Sequence, residues 1–141
     1  MRRYPAMEVA LFSHVFVGVS DFERALAFYT PVMEALGCDL RFLDRTRPWA
    51  GWQMPGTSRP LFLIGAPYDQ NPPVPGNGHM TAFLAATPGI VDAVFNAALR
   101  HGGTSEGVPG LRPEYHADYY GAYFRDPDGN KLCVACHERS A

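Results

Sequence analysis

Residues 13–19 read Ser-His-Val-Phe-Val-Gly-Val, and a second His-led run, Gly78-His79-Met80-Thr81-Ala82-Phe83, opens the other half of the chain. In the first run Val15, Val17 and Val19 alternate onto one side, with His14, Phe16 and Gly18 on the other, which is the period of a β-strand. Ser20 stands three residues before Glu23, a capping-box pattern for a helix start. Phe22, Ala25, Leu26, Tyr29, Met33 and Leu36 follow at helical spacing. Pro31 predicts a kink in that helix, because it removes a backbone donor, and Gly37 is placed to end it. Short strands are expected near 40–44, 49–54 and 61–65, punctuated by Pro48, Pro55, Gly56 and Pro60.

The second half repeats this order. A strand is expected from His79 to Ala85. Thr87 reads as an N-cap with Pro88 in the first helical position. Val91, Val94, Phe95, Ala98 and Leu99 form an apolar stripe that Gly102 and Gly103 close. An irregular segment runs to about Tyr120. A hairpin follows, Ala122 to Arg125 and Lys131 to Cys136 about the turn Asp126-Pro127-Asp128-Gly129. The shift that lays His79 on His14 also lays Gly102 on Gly37. Two strand–helix–three-strand modules related by a pseudo-twofold axis are the simplest architecture. Neither sheet could cover both its faces alone, so the pair is expected to wrap a shared cavity. Between them lies a stiff linker, 66–78, with four prolines.

Composition agrees with a folded domain. The chain has 141 residues, 47% of them apolar and 18% charged, with a net charge of −2. That excludes a charge-rich disordered chain and gives no basic footprint for nucleic acid. No apolar run approaches the ~20 residues of a membrane helix, and the first residues make a poor secretion signal. Cys38, Cys133 and Cys136 are too few and odd in number for a disulfide framework, so a reducing cytoplasm is the expectation. Cys133 and Cys136 are three apart on a strand and should face opposite ways, which argues against a shared ion.

His14-Val15-Phe16-Val17 with Val19-Ser20-Asp21, then Ala27-Phe28-Tyr29 and Leu36-Gly37, resembles the opening of the vicinal oxygen chelate proteins: the glyoxalase, bleomycin-resistance and extradiol dioxygenase families. Gly78 to Phe83 resembles the start of their second module. Tyr120-Gly121-Ala122-Tyr123-Phe124 with Asp126-Pro127-Asp128-Gly129-Asn130 resembles their closing hairpin. The resemblance implies an α+β fold of two βαβββ modules in one domain over 8–141, with module one at about 12–65 and module two at about 79–138. It implies a glyoxalase-like small-molecule enzyme, a metal-dependent lyase, isomerase or dioxygenase. The alternative is a metal-free binding or drug-sequestering protein of the bleomycin-resistance type. A homodimer is also implied.

In the family a divalent metal (Zn, Mn, Ni or Fe) is held by one residue from each of four strands. By resemblance His14 and His79 match the two first-strand positions. Phe62 and Cys133 stand where Glu is common, so both usual carboxylates are absent and Cys133 becomes the candidate third ligand. Substrate recognition is expected from the segment 112–120, which packs a cation, an imidazole, two carboxylates and three phenols into nine residues. Arg112, Tyr115, His116 and Tyr120 are the candidates there, and Trp52 the candidate from module one. A loop pinned over the core by its own aromatics is the competing reading of the same segment. For His14 and His79 it is a pair of histidines satisfied by hydrogen bonds.

Overall fold

The computed structural model describes residues 11–138; the outer edges of the expected domain, 8–10 and 139–141, lie outside them. Module one comprises β1 (His14–Gly18), α1 (Phe22–Leu36), β2 (Asp39–Asp44), β3 (Trp49–Gln53) and β4 (Leu61–Gly65). Module two comprises β5 (Thr81–Leu84), α2 (Pro88–Arg100), β6 (Thr104–Leu111), β7 (Tyr120–Arg125) and β8 (Lys131–Cys136). The first sheet runs β1-β4-β3-β2 and the second β5-β8-β7-β6, so the two have the same topology. In each, the opening strand lies parallel to the closing one and the rest are antiparallel. The two-module α+β architecture expected from the repeat is therefore what the chain adopts.

Local chemistry explains most boundaries and corrects two. Helix α1 is capped by Asp21, whose carboxylate accepts the Arg24 N–H, and not by Ser20. Ser20 turns instead to Asp128 of the other module, giving that carboxylate both its backbone N–H and its hydroxyl. Pro31 lies inside an uninterrupted helix. Gly37 closes α1 in the left-handed conformation, and Thr87 caps α2 with Pro88 following, both as the sequence reads. The second correction is β6. Thr104–Leu111 reads as irregular because it carries Gly107, Pro109 and Gly110, yet it pairs with β7 through two irregularities in register. As an edge strand it can hold a proline without breaking a ladder.

Both sheets turn one face to the helices. Val15, Val17, Val19, Ala50, Trp52, Phe62 and Ile64 from the first meet Phe83, Ala85, Ala122, Phe124, Leu132, Val134 and Cys136 from the second in one continuous core with α1 and α2. Asp126 is the one buried charged residue among those described, 3% exposed. Its carboxylate accepts from the Tyr29 hydroxyl at 2.6 Å, from Asn130 Nδ2 at 2.8 Å, and from the backbone N–H groups of Asp128 and Asn130. Asn130 also donates to the Gly18 carbonyl at 3.0 Å. The Asp-Pro-Asp-Gly-Asn turn thus ties module two to β1 and α1, beyond its role in the hairpin.

The strand registers also refine the repeat. The Val19 N–H reaches the Gly65 carbonyl, as the Ala85 N–H reaches that of Ala135. Val19 and Ala85 are therefore equivalent, and stepping back along both strands makes His14 equivalent to Met80, one residue beyond His79. Across the sheet, Phe16 pairs with Leu63 and Ala82 with Cys133, so Leu63 is the counterpart of Cys133.

Candidate functional site

The faces turned away from the helices carry the chemistry. On β7 the inner residues are Tyr120, Ala122 and Phe124, which leaves Gly121 and Tyr123 on the outer face. Tyr123 pairs with Cys133 and Gly121 with Ala135. Tyr119, just before the strand, lies on that same side: a Cβ on Gly121 would come within 2.8 Å of its ring, so the missing side chain lets the phenol lie flat on the sheet. The Tyr119 and Tyr123 hydroxyls are 2.9 Å apart, and the Cys133 sulfur is 3.6 Å from that of Tyr119. Burial pushes all three groups above their ordinary pKa values, with the bond to Tyr123 as a further cause for Tyr119. The raised Cys133 thiol favours the protonated form, which makes it a weak nucleophile.

Two cations flank the Tyr123 ring. The Arg112 guanidinium carbon is 5.5 Å from the ring centre and the Lys131 nitrogen 5.9 Å. Arg112 folds back along β6, donating to the Val108 carbonyl at 2.7 Å. Gly107 and Gly110 make room for it, since a Cβ on either would stand 3.3 and 3.0 Å from its terminal nitrogens. Tyr115 is exposed and its ring centre is 5.0 Å from that of Tyr119. His116 accepts the Asp118 N–H at Nδ1, so in its neutral form the proton sits on Nε2, which donates to His137 Nδ1 at 2.9 Å. This bond fastens segment 112–119 to the end of β8.

The outer face of module one is a cleft of about 480 Å³. His14, Phe16, Leu63 and Trp49 line its floor and wall, with Arg47 and Tyr68 at the rim. The Arg47 guanidinium lies 3.7 Å over the Trp49 ring. His14 is bonded to the neighbouring Ser13 hydroxyl at 2.9 Å.

Of the residues expected to recognise a ligand, Arg112, Tyr115 and His116 meet on the outer face of module two. Tyr120 does not join them. Its ring points to the helices and its hydroxyl donates to Asp92 of α2 at 2.7 Å. Tyr119 and Tyr120 are adjacent, so only one could face outward, and Tyr119 does. Trp52 does not join them either: it is 3% exposed, packs near Phe62, and lines a separate cavity between the modules. Tyr119, Tyr123, Lys131 and His137 complete the site. The signal for Tyr123 was available: it follows from placing Cys133 outward and reading the hairpin register across.

The expected metal set is not brought together. His14 lines the cleft of module one, whereas His79 lines a different cavity at the seam between the modules. Phe62 points into the core, where its ring lies 5.3 Å from that of Tyr29, and the outward residue beside it is Leu63. Cys133 lies beneath two phenols. Among the described residues no three His, Cys, Asp or Glu side chains come close enough to hold one metal ion. A leucine, which offers no ligand atom, and a thiol at the carboxylate positions do not fit a divalent ion that prefers oxygen ligands. Cys136 faces the core, opposite to Cys133, as strand alternation predicts.

This fold, with its paired βαβββ modules and outward-facing sheet surfaces, matches a family model over residues 11–134: the chain belongs to the Glyoxalase/Bleomycin resistance protein/Dioxygenase superfamily. It is similar to a glyoxalase/bleomycin resistance protein from Albidiferax ferrireducens, with 35% identity and a TM-score of 0.80 over 90% of this chain and 99% of that one. It shares its fold with TnmS3, an antibiotic binding protein from a Streptomyces species. The identity there is 24% and the TM-score 0.61, over 94% of this chain and 99% of that one. A family enzyme from Burkholderia phytofirmans shares the fold at 21% identity and a TM-score of 0.65, over 89% and 98% of the two chains. Comparison with curated proteins finds no match.

Proposed function

We propose that this chain binds a small planar organic anion on the outer face of module two and holds it without transforming it. The observation that carries this reading is the Tyr123 ring, set between Arg112 and Lys131 with its hydroxyl bonded to Tyr119. Tyrosine faces stack on flat ligands, phenol hydroxyls donate to ligand oxygens, and the two cations neutralise a carboxylate or phenolate. The site offers binding groups and no activated nucleophile. The reading as a metal-dependent lyase, isomerase or dioxygenase needs ligands that these side chains do not assemble, so the sequestering alternative is preferred. The antibiotic-binding function of TnmS3 is consistent with it.

The reading includes a homodimer, in which a second copy covers the open faces, and a cytoplasmic setting, which suits three free thiols. The experiment is a fluorescence titration with 1-hydroxy-2-naphthoate, a flat carboxylate with a neighbouring hydroxyl. Arg112→Ala and Tyr123→Phe should each weaken binding about 2- to 12-fold, the range of one lost hydrogen bond or surface charge contact. Wild-type affinity in both variants, or no saturable binding at all, would refute the site.

A further inference from the structure

Between the two modules, at the end of α1, lies a second, open cavity of about 500 Å³, and none of Arg112, Tyr115, His116, Tyr119, Tyr123 or Lys131 lines it. It falls within the roughly 300–1,000 Å³ of sites that take small molecules. Its floor is cut into the core, reaching Met33, which is 1% exposed, and Phe62. No Asp, Glu, Lys or Arg lines it. An ionised ligand would lose its hydration there with no partner for its charge, which is a heavy cost. Three methionines, Met33, Met54 and Met80, supply walls that adapt to irregular apolar shapes. His79 contributes a polar group able to donate or accept a hydrogen bond.

We propose that this seam cavity is a second ligand site, for an uncharged apolar molecule carrying one hydrogen-bonding group. It goes beyond the reading of the outer face, whose cations select the opposite charge class. The cavity holds its own reporter. Cys38 lines it and lies 3.5 Å from the Met54 sulfur, while Cys133 and Cys136 are 0% and 1% exposed. A thiol reagent acting on the folded protein therefore reads Cys38 first.

The test uses prodan, a neutral naphthalene ketone whose emission moves to the blue in apolar surroundings, with Ellman's reagent as the thiol probe. The expected result is saturable blue-shifted emission, a reaction of Cys38 at least tenfold slower with prodan bound, and no displacement of prodan by saturating 1-hydroxy-2-naphthoate. Thr57→Trp and, independently, Thr81→Trp, whose side chain shares the inward side of β5 with Phe83, place a ring at the cavity wall and should abolish both signals. Displacement by the naphthoate would place prodan on the outer face and overturn the proposal. So would an unchanged Cys38 rate, or no saturable binding. Cys38 protection that appears without prodan and vanishes on dilution would show a second copy filling the cavity, and would also overturn it.

Discussion

Removing the hydroxyl of Tyr29 tests how the two modules are held together. Tyr29→Phe keeps the ring, and with it the edge-to-face contact with Phe28 at 4.8 Å and the tilted contact with Phe62. What is lost is one 2.6 Å hydrogen bond from a fully buried phenol to the buried Asp126 carboxylate. Bonds to charged groups contribute about 1.5–3 kcal/mol. For a domain of this size that is a fall in Tm of about 5–12 °C. Asp126 keeps its other three donors, so the variant should still fold. The same bond sets a pH dependence. Burial, with the Asp126 charge next, raises the Tyr29 pKa well above 10.0. Above about pH 10 the unfolded chain releases this proton while the native state retains it. The contribution to stability is therefore complete below pH 10 and declines as pH rises beyond it. Calorimetry from pH 8 to 12 should show wild-type Tm dropping steeply above pH 10, less steeply in Tyr29→Phe. A loss under 2 °C at pH 8, or parallel alkaline slopes, would refute the view that this bond couples the modules.

Tyr120→Phe should leave 1-hydroxy-2-naphthoate affinity unchanged while lowering stability by about 1 kcal/mol in urea unfolding, because its hydroxyl serves Asp92 on α2. Weakened binding would return Tyr120 to the site. Gly51→Ala puts a Cβ 2.6 Å from both the Leu63 Cδ2 and Phe42 Cε1 atoms. Overpacking of this kind costs about 1–3 kcal/mol, and a variant as stable as the wild type would show that Phe42 swings aside freely. Thr87→Ala removes the acceptor for the Ile90 N–H at the start of α2 and should cost about 1 kcal/mol by the same measurement.

The module order, both helices and seven of the eight strands are legible because alternation and helical spacing are local properties. Strand β6 is not, since its pairing with β7 overrides a local sequence of Gly and Pro. Ser20 looked like a cap because the pattern with Glu23 is local, whereas its actual partner, Asp128, is more than a hundred residues away. The site divides the same way. Cys133 and Cys136 could be set on opposite faces from their spacing alone. Placing His14 and His79 together needed the exact equivalence of two strands, and an error of one residue in a structure of period two moves a side chain to the other face. The same sensitivity decided between Tyr119 and Tyr120.

Equivalent positions in the two modules show how one frame carries two unlike surfaces. Gly51 pairs with Leu63 as Tyr123 pairs with Cys133, so Gly51 and Tyr123 occupy matching places on the outer faces. In module one the glycine lets Phe42 and Leu63 close over the strand, leaving an apolar floor edged by Trp49 and Arg47. In module two the tyrosine stands up from the sheet, and glycines 107, 110 and 121 move to its neighbours, where they admit Arg112 and Tyr119. Each face thus trades bulk at one position for space at another, because sheet neighbours only about 5 Å apart cannot both be large and flat. The polar groups accumulate where the space is left, on module two, and module one presents a stacked cation over an aromatic wall. A dimer that set one face against the other would enclose a flat molecule between unlike surfaces, one supplying donors and charge, the other an aromatic lid.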